Sequence, residues 1–307
     1  MSTPARPQVQ KLATLTGHRD CVYALAGATQ EAMFYSAGAD GLVAAWDVEQ
    51  PEADGLLVAK VEKSVYALRY LPERGLLVLG HNFEGVQVVE LGARRLAYAT
   101  ALPPVAIFDL AYSEAAQRLF VALADGTLAV LRAADFTLEK LVRISTKSLR
   151  CLALHPTRPE LAVGSSDASV RILDTHTLHT LHTLTDAANS VFTVAYSADG
   201  QHLLAAGRDA HLRRYNATGY TLTDSIVAHM FTINHLTFSP DGRYLATCSM
   251  DKSIKLWDAA TLGLLRVVDR ARHAGHGTSV NKLFWSGRQN RLVSCSDDRS
   301  LAVWQVS

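Results

Sequence analysis

Seven segments of the chain end on one short apolar pattern, anchored at Trp46, Val89, Leu131, Leu173, Tyr215, Trp257 and Trp304. Successive anchors stand 43, 42, 42, 42, 42 and 47 residues apart. That period is too long for a heptad or a single hairpin, and it suits a unit of four short strands. Repeated units bury their apolar faces against their neighbours, so 307 residues fit one domain without one oversized core.

The sixth segment displays the unit most fully. Apolar-rich runs at Thr232–Phe238, Arg243–Cys248 and Ser253–Asp258 are separated by Ser239-Pro-Asp-Gly242 and Ser249-Met-Asp-Lys252. Pro presets φ, Asp bonds its own backbone and Gly accepts φ > 0, which together make a tight turn. The runs between such turns read as strands.

Two segments end in Trp-Asp, at Trp46-Asp47 and Trp257-Asp258, with Trp304-Gln305 departing by one residue, and two open with Gly-His, at Gly17-His18 and Gly275-His276. With these motifs the chain resembles the WD-repeat β-propeller family over nearly its whole length. The resemblance implies an all-β fold, a seven-bladed β-propeller of four-stranded antiparallel blades. It also implies a buried hydrogen-bonded set of His, Ser or Thr, Asp and Trp in each complete repeat. Three segments hold all four at matched offsets: His18, Ser36, Asp40 and Trp46; His229, Thr247, Asp251 and Trp257; His276, Ser294, Asp298 and Trp304. A turn Asp carried into a packed wall must be partnered, since a hydrogen bond to a charged group contributes roughly 1.5–3 kcal/mol. A Ser-His-Asp hydrolase triad would occur once, not three times in register with the fold repeat.

Segments two to five lack the opening His and carry Val89, Leu131, Leu173 and Tyr215 as anchors, so they should lean more on apolar packing. Arg214 stands where the other segments have apolar residues, and it must meet a carboxylate or extend to solvent. The chain ends just after the third strand of segment seven, so the run Val9–Leu15 is expected to supply the fourth and close the ring. The expected organisation is one propeller domain over 1–307, with a flexible N-terminus at 1–8 and the closing strand at 9–16.

Lys and Arg number 30 against 29 Asp and Glu, so no dense basic stripe favours nucleic acid. No apolar run reaches the roughly 20 residues of a membrane span, and the N-terminus lacks a signal-type apolar core. A cytoplasmic location is expected, with Cys21, Cys151, Cys248 and Cys295 as unbridged thiols. The chain should be monomeric by itself or a component of a larger complex. Phosphate-loop, zinc-helix and nucleophile-elbow motifs are absent, so no catalytic residue and no cofactor are assigned. His176, His179 and His182 have a helical ligand spacing, but the repeat register places the stretch largely in an outer strand, where alternation parts them. The loop from Arg266 to His276 makes the last interval longer and reads as a solvated connection.

Overlaying the first strands brings Tyr23, Tyr66, Phe108, Arg150, Phe192, Asn234 and Asn281 into one register position, each with a small residue two positions before it. In a propeller this position lies near one mouth of the central channel. The residues before the turn acid add Ser166, Arg208, Met250 and Asp297. Aromatic and Arg side chains are the usual anchors of interfaces. The expected function is a protein-interaction scaffold that docks a protein or peptide at this mouth. One alternative is a reader of methylated lysine or arginine, with aromatic rings caging the cation and Asp109 or Asp297 as the acid. Another is an enzyme in the channel, for which the third position of the first strands offers only Asp109, His235 and Lys282.

Overall fold

The computed structural model describes residues 6–28 and 30–307. It holds seven four-stranded antiparallel sheets, the sheet composition of a seven-bladed β-propeller. The chain divides into two compact units, one running up to residue 62 and resuming at 234–307, the other covering 63–233.

Four sheets make up most of the second unit. Sheet two contains Val65–Leu71, Leu76–His81, Gly85–Glu90 and Arg95–Ala101. Sheet three contains Ile107–Ser113, Arg118–Leu123, Thr127–Arg132 and Leu138–Arg143. Leu149–Leu154, Glu160–Ser165, Val170–Asp174 and Thr180–Leu184 form sheet four, and Val191–Tyr196, His202–Gly207, His211–Asn216 and Thr221–Val227 form sheet five. Consecutive sheets share apolar clusters. Val78 and Val88 pack with Ile107 and Val121, Phe120 and Val130 with Leu149 and Val163, and Ile172 with Val191 and Tyr215. Each such side chain, fully buried, contributes roughly 1.5–3 kcal/mol, and this lateral burial replaces a single central core.

The other unit holds sheet one (Val22–Gly27, Met33–Gly38, Leu42–Asp47, Leu56–Lys60) and sheet six (Ile233–Phe238, Tyr244–Ser249, Ile254–Asp258, Leu264–Val268). Sheet seven (Val280–Ser286, Arg291–Ser296, Leu301–Val306) is completed by Val9–Leu15. Val9 pairs with Val306 and Leu15 with Leu301, antiparallel. This is the expected ring-closing strand. Its pairing begins one residue earlier than expected: Gln8 and Ser307 exchange backbone hydrogen bonds of 2.7 and 3.1 Å. The carbonyl of Pro7 also accepts from Arg266. The expected flexible segment 1–8 is therefore held at Pro7 and Gln8, while residues 1–5 lie outside the described residues.

All seven anchors fall on the third strand of their sheets and are buried. The turn chemistry follows the sequence, with Ser239 Oγ bonding Asp241 at 2.5 Å and Gly242 taking φ +72°. In the first and seventh sheets the polar set has a forced proton order. An indole only donates, so Trp46 donates to Ser36 Oγ at 2.8 Å. The Asp40 carboxylate only accepts, so His18 Nδ1 donates to it at 3.0 Å, and the Nε2 of the neutral imidazole is left to accept from the Ser36 hydroxyl at 2.7 Å. Trp304, Ser294, His276 and Asp298 repeat this chain at 2.9 Å per step. Burial alone would raise the Asp298 carboxyl, but its bonds to His276 and Ser300 hold it far below the usual carboxylate range. In sheet six Trp257 donates to Thr247 at 2.9 Å, Asp251 accepts from Ser253, and His229 is buried.

Sheets four and five combine buried apolar anchors with polar anchoring of the turn acid. Ser145 occupies the place of the opening His and donates to Asp167 at 2.7 Å, while Arg171 pairs with Asp167 at 2.9 Å. Arg213 pairs with Asp209 at 2.7 Å, both nearly buried. Arg214 meets Asp224 across the neighbouring strand at 2.7 Å, the carboxylate alternative for that residue.

Candidate functional site

The second residue of a first strand occupies an unusual place in the ladder. In sheets one to five and seven the register slips there, between Val22 and Ala24, Val65 and Ala67, Ile107 and Asp109, Leu149 and Cys151, Val191 and Thr193, and Val280 and Lys282. Tyr23, Tyr66, Phe108, Arg150, Phe192 and Asn281 are thus the extra residues of β-bulges. A bulge takes a residue out of strict alternation and re-aims its side chain. All six, and Asn234, are half-buried.

Within the unit 63–233 four of these side chains stack in chain order. Tyr66 and Phe108 lie face to face with centroids 5.8 Å apart and planes 15° apart. The Arg150 guanidinium lies 4.2 Å from the Phe108 centroid and 5.0 Å from that of Phe192, so both rings flank one cation. Arg150 Nε donates to Ser166 Oγ at 2.8 Å. Its remaining guanidinium N–H groups have no protein acceptor among the described residues, yet none is sealed from solvent. Burial lowers the Arg150 pKa; nearby Cys151 opposes that shift and the charge of Arg208 adds to it. Arg208 is exposed.

The small residues preceding the bulges do more than leave room. Ser148 Oγ donates to the carbonyl of Ala124 at 2.7 Å, and Ser190 Oγ to that of Ser166 at 3.4 Å. The backbone N–H groups of Ser166 and Arg208 return bonds to Ser148 and Ser190 at 2.8 and 2.9 Å. These ties fix the rim under the stacked residues.

In the other unit the register position holds Tyr23 and two asparagines, and the asparagines are engaged with neighbouring strands. Asn234 Nδ2 donates to Ser279 Oγ and to the Val280 carbonyl, both at 2.9 Å. Asn281 Nδ2 donates to the Val22 carbonyl at 2.9 Å and to Asp297 at 2.7 Å. Cys21 Sγ contacts the Asp297 carbonyl at 3.7 Å, and Met250 is 52% exposed. The two asparagines and Asp297 thus join strands, whereas Tyr66, Phe108, Arg150 and Phe192 form a stacked surface.

At the third position Asp109 and His235 act as clasps. Asp109 accepts from the backbone N–H of Leu152 at 2.8 Å, and His235 Nδ1 accepts from that of Leu283 at 3.3 Å. Each binds the fourth residue of the next sheet's first strand. Burial, and then Lys282, push His235 well below its ordinary pKa, consistent with a neutral acceptor. Arg69, further along the first strand of sheet two, was not among the sequence candidates. Its pKa is lowered by desolvation against the pull of Asp109, and a search of every first-strand position for charge would have found it. Only His182 of the three spaced histidines lies in a strand, with its ring 4.8 Å from that of Tyr220. Among the described residues no group of three or more His, Cys, Asp or Glu is placed to hold a metal.

A family model described as "WD domain, G-beta repeat" matches residues 9–47, 139–174, 178–216, 220–258 and 269–305, more than half of the chain. It leaves residues 48–138 unmatched, a stretch that holds sheet two and the first three strands of sheet three. The chain is 22% identical over 245 residues to Target of rapamycin complex subunit LST8 of Mus musculus, covering 75% of this chain and 73% of that protein. It is 24% identical over 256 residues to Echinoderm microtubule-associated protein-like 4 of Xenopus laevis, covering 80% of this chain and 26% of that protein. Against Striatin of Homo sapiens the identity is 28% over 261 residues, covering 81% of this chain and 29% of that protein. The chain therefore spans only about a quarter to a third of the length of the last two relatives.

Proposed function

The chain belongs to the WD40-repeat family of β-propellers, whose general role is protein–protein interaction, and on that premise we propose that it docks a protein or peptide against Tyr66, Phe108, Arg150 and Phe192. One observation carries this reading: bulge geometry gathers these four into a stacked, half-exposed surface braced by backbone and hydroxyl bonds. Side chains already frozen by stacking lose little entropy when a partner covers them. Large aromatic and Arg side chains are also the types that dominate binding energy. LST8 is by its name a subunit of a complex, and membership in a larger assembly is the corresponding expectation here.

Arg150 lies over both the Phe108 and the Phe192 ring, covering one face of each. A methylated cation would have to displace that guanidinium against like charge, so general docking is preferred to the reader of cationic peptides. The enzyme alternative is likewise set aside, because Asp109 and His235 are engaged with backbone N–H groups. The four cysteines are unbridged, which suits a reducing compartment, and the cytoplasm is the proposed location.

The test compares proteins captured from lysate by the wild-type chain and by a Phe108→Ala/Arg150→Glu variant, quantified by mass spectrometry, with melting curves as the folding control. Partners lost from a folded variant support the arc. Identical capture rejects it.

A further inference from the structure

We infer that the arc recognises acidic peptide segments, with carboxylate side chains seated on Arg150 and Arg208. This deepens the docking reading and rests on it. The first ground is local charge. The turn acids beside this rim are already neutralised, Asp167 by Arg171 at 2.9 Å and Asp209 by Arg213 at 2.7 Å. Arg150 and Arg208 have no carboxylate partner among the described residues, and a run of hydrogen bonds puts them on one rim: Arg150 donates to Ser166 Oγ, Ser190 Oγ to the Ser166 carbonyl, and the Arg208 backbone N–H to the Ser190 carbonyl. Two cations of like charge are thus held on one rim while the adjoining turn acids are paired with other arginines, in a chain whose net charge is only +1.

The second ground is preorganisation. Arg150 is held between two rings and bonded through Nε to Ser166. Its plane is fixed while its other N–H groups remain open to solvent. A planar fork held this way matches a carboxylate with two parallel hydrogen bonds. An incoming anion would also relieve the repulsion with Arg208. A neutral or cationic segment would do neither.

The experiment uses the full chain and fluorescein-labelled octapeptides on a Gly/Ser background, carrying three Glu, three Gln, three Lys or one phosphoserine, with an oligonucleotide of matched charge. Fluorescence anisotropy is read at low and at moderate salt. The Glu peptide should bind at least about tenfold tighter than the Gln peptide and weaken as salt rises. Arg208→Ala should weaken it severalfold. Arg150→Lys should also weaken it, because the charge stays but the fork is lost. Arg95→Ala, which removes an exposed arginine paired with Glu90, should leave binding unchanged. If Arg150→Lys proves unstable, Arg208→Ala at an exposed position carries the test.

Equal affinity for Glu and Gln peptides, preference for Lys, or full binding by Arg208→Ala overturns the inference. Binding confined to the phosphoserine peptide overturns the carboxylate assignment, and equal binding of the oligonucleotide overturns the peptide assignment. Lysate partners lost from the Phe108→Ala/Arg150→Glu variant without acid preference would leave the docking reading intact and remove only the acidic one. Unchanged capture would remove the docking reading itself.

Discussion

Asp167 illustrates how one side chain does several jobs. It accepts from the backbone N–H and hydroxyl of Ser169 and from Ser145, and it pairs with Arg171. Burial by itself would raise its pKa, but the hydroxyls and the guanidinium win and bring it from 3.8 to about 2. A carboxyl depressed on folding stabilises the fold fully above its unfolded value and loses that contribution as pH falls through its folded value. The contribution is about 2 kcal/mol near neutral pH. Asp167→Asn should therefore lower the melting temperature at pH 7, and the gap from wild type should close between about pH 4 and pH 2. A gap that stays constant over this range would place the effect in geometry rather than ionisation. The acid was readable as a turn residue from its place in the repeat. Its partner Ser145 was not, because a serine in the place of a histidine breaks the motif while preserving the bond.

Among elements, the Val9–Leu15 strand has the most concentrated role. It pairs along Leu301–Val306, and its loss would leave that strand as an open edge. Removing residues 1–7 would take away the Pro7 carbonyl that Arg266 uses and leave the ladder intact. Removing 1–16 would delete the whole strand, including buried Leu15. Calorimetry of the two truncations should show a much larger fall in melting temperature for the second, and equal values would refute the closure argument. The strands and their order were legible because turns and anchors recur at a fixed period. The bulges at Tyr23, Tyr66, Phe108, Arg150, Phe192 and Asn281 were not. A bulge is a mismatch between two strands, and neither strand alone encodes it.

For the molecule as a whole, charge separates a local patch from a polyanion-binding surface. Lys and Arg exceed Asp and Glu by one, and many arginines are internally paired, as Arg118 is with Glu139 and Arg158 with Glu160. Binding through two arginines should release few counterions. The chain should elute from a heparin column below about 0.2 M salt, with Arg208→Ala shifting it only slightly. Retention to high salt would mean an extended basic surface.

By itself, the sequence determined the repeat, the seven sheets, the closing strand and the register position of the candidate residues. All of these follow from periodic burial and local turn chemistry, which are written along the chain. Only the tertiary structure decided that Arg150 lies between Phe108 and Phe192, that Asn234 and Asn281 are engaged with strands, and that Asp109 and His235 clasp the next sheet. These outcomes depend on contacts between residues about 40 positions apart or, for Asn281 and Val22, 259 apart, where side-chain direction and competition for each donor and acceptor are resolved in space.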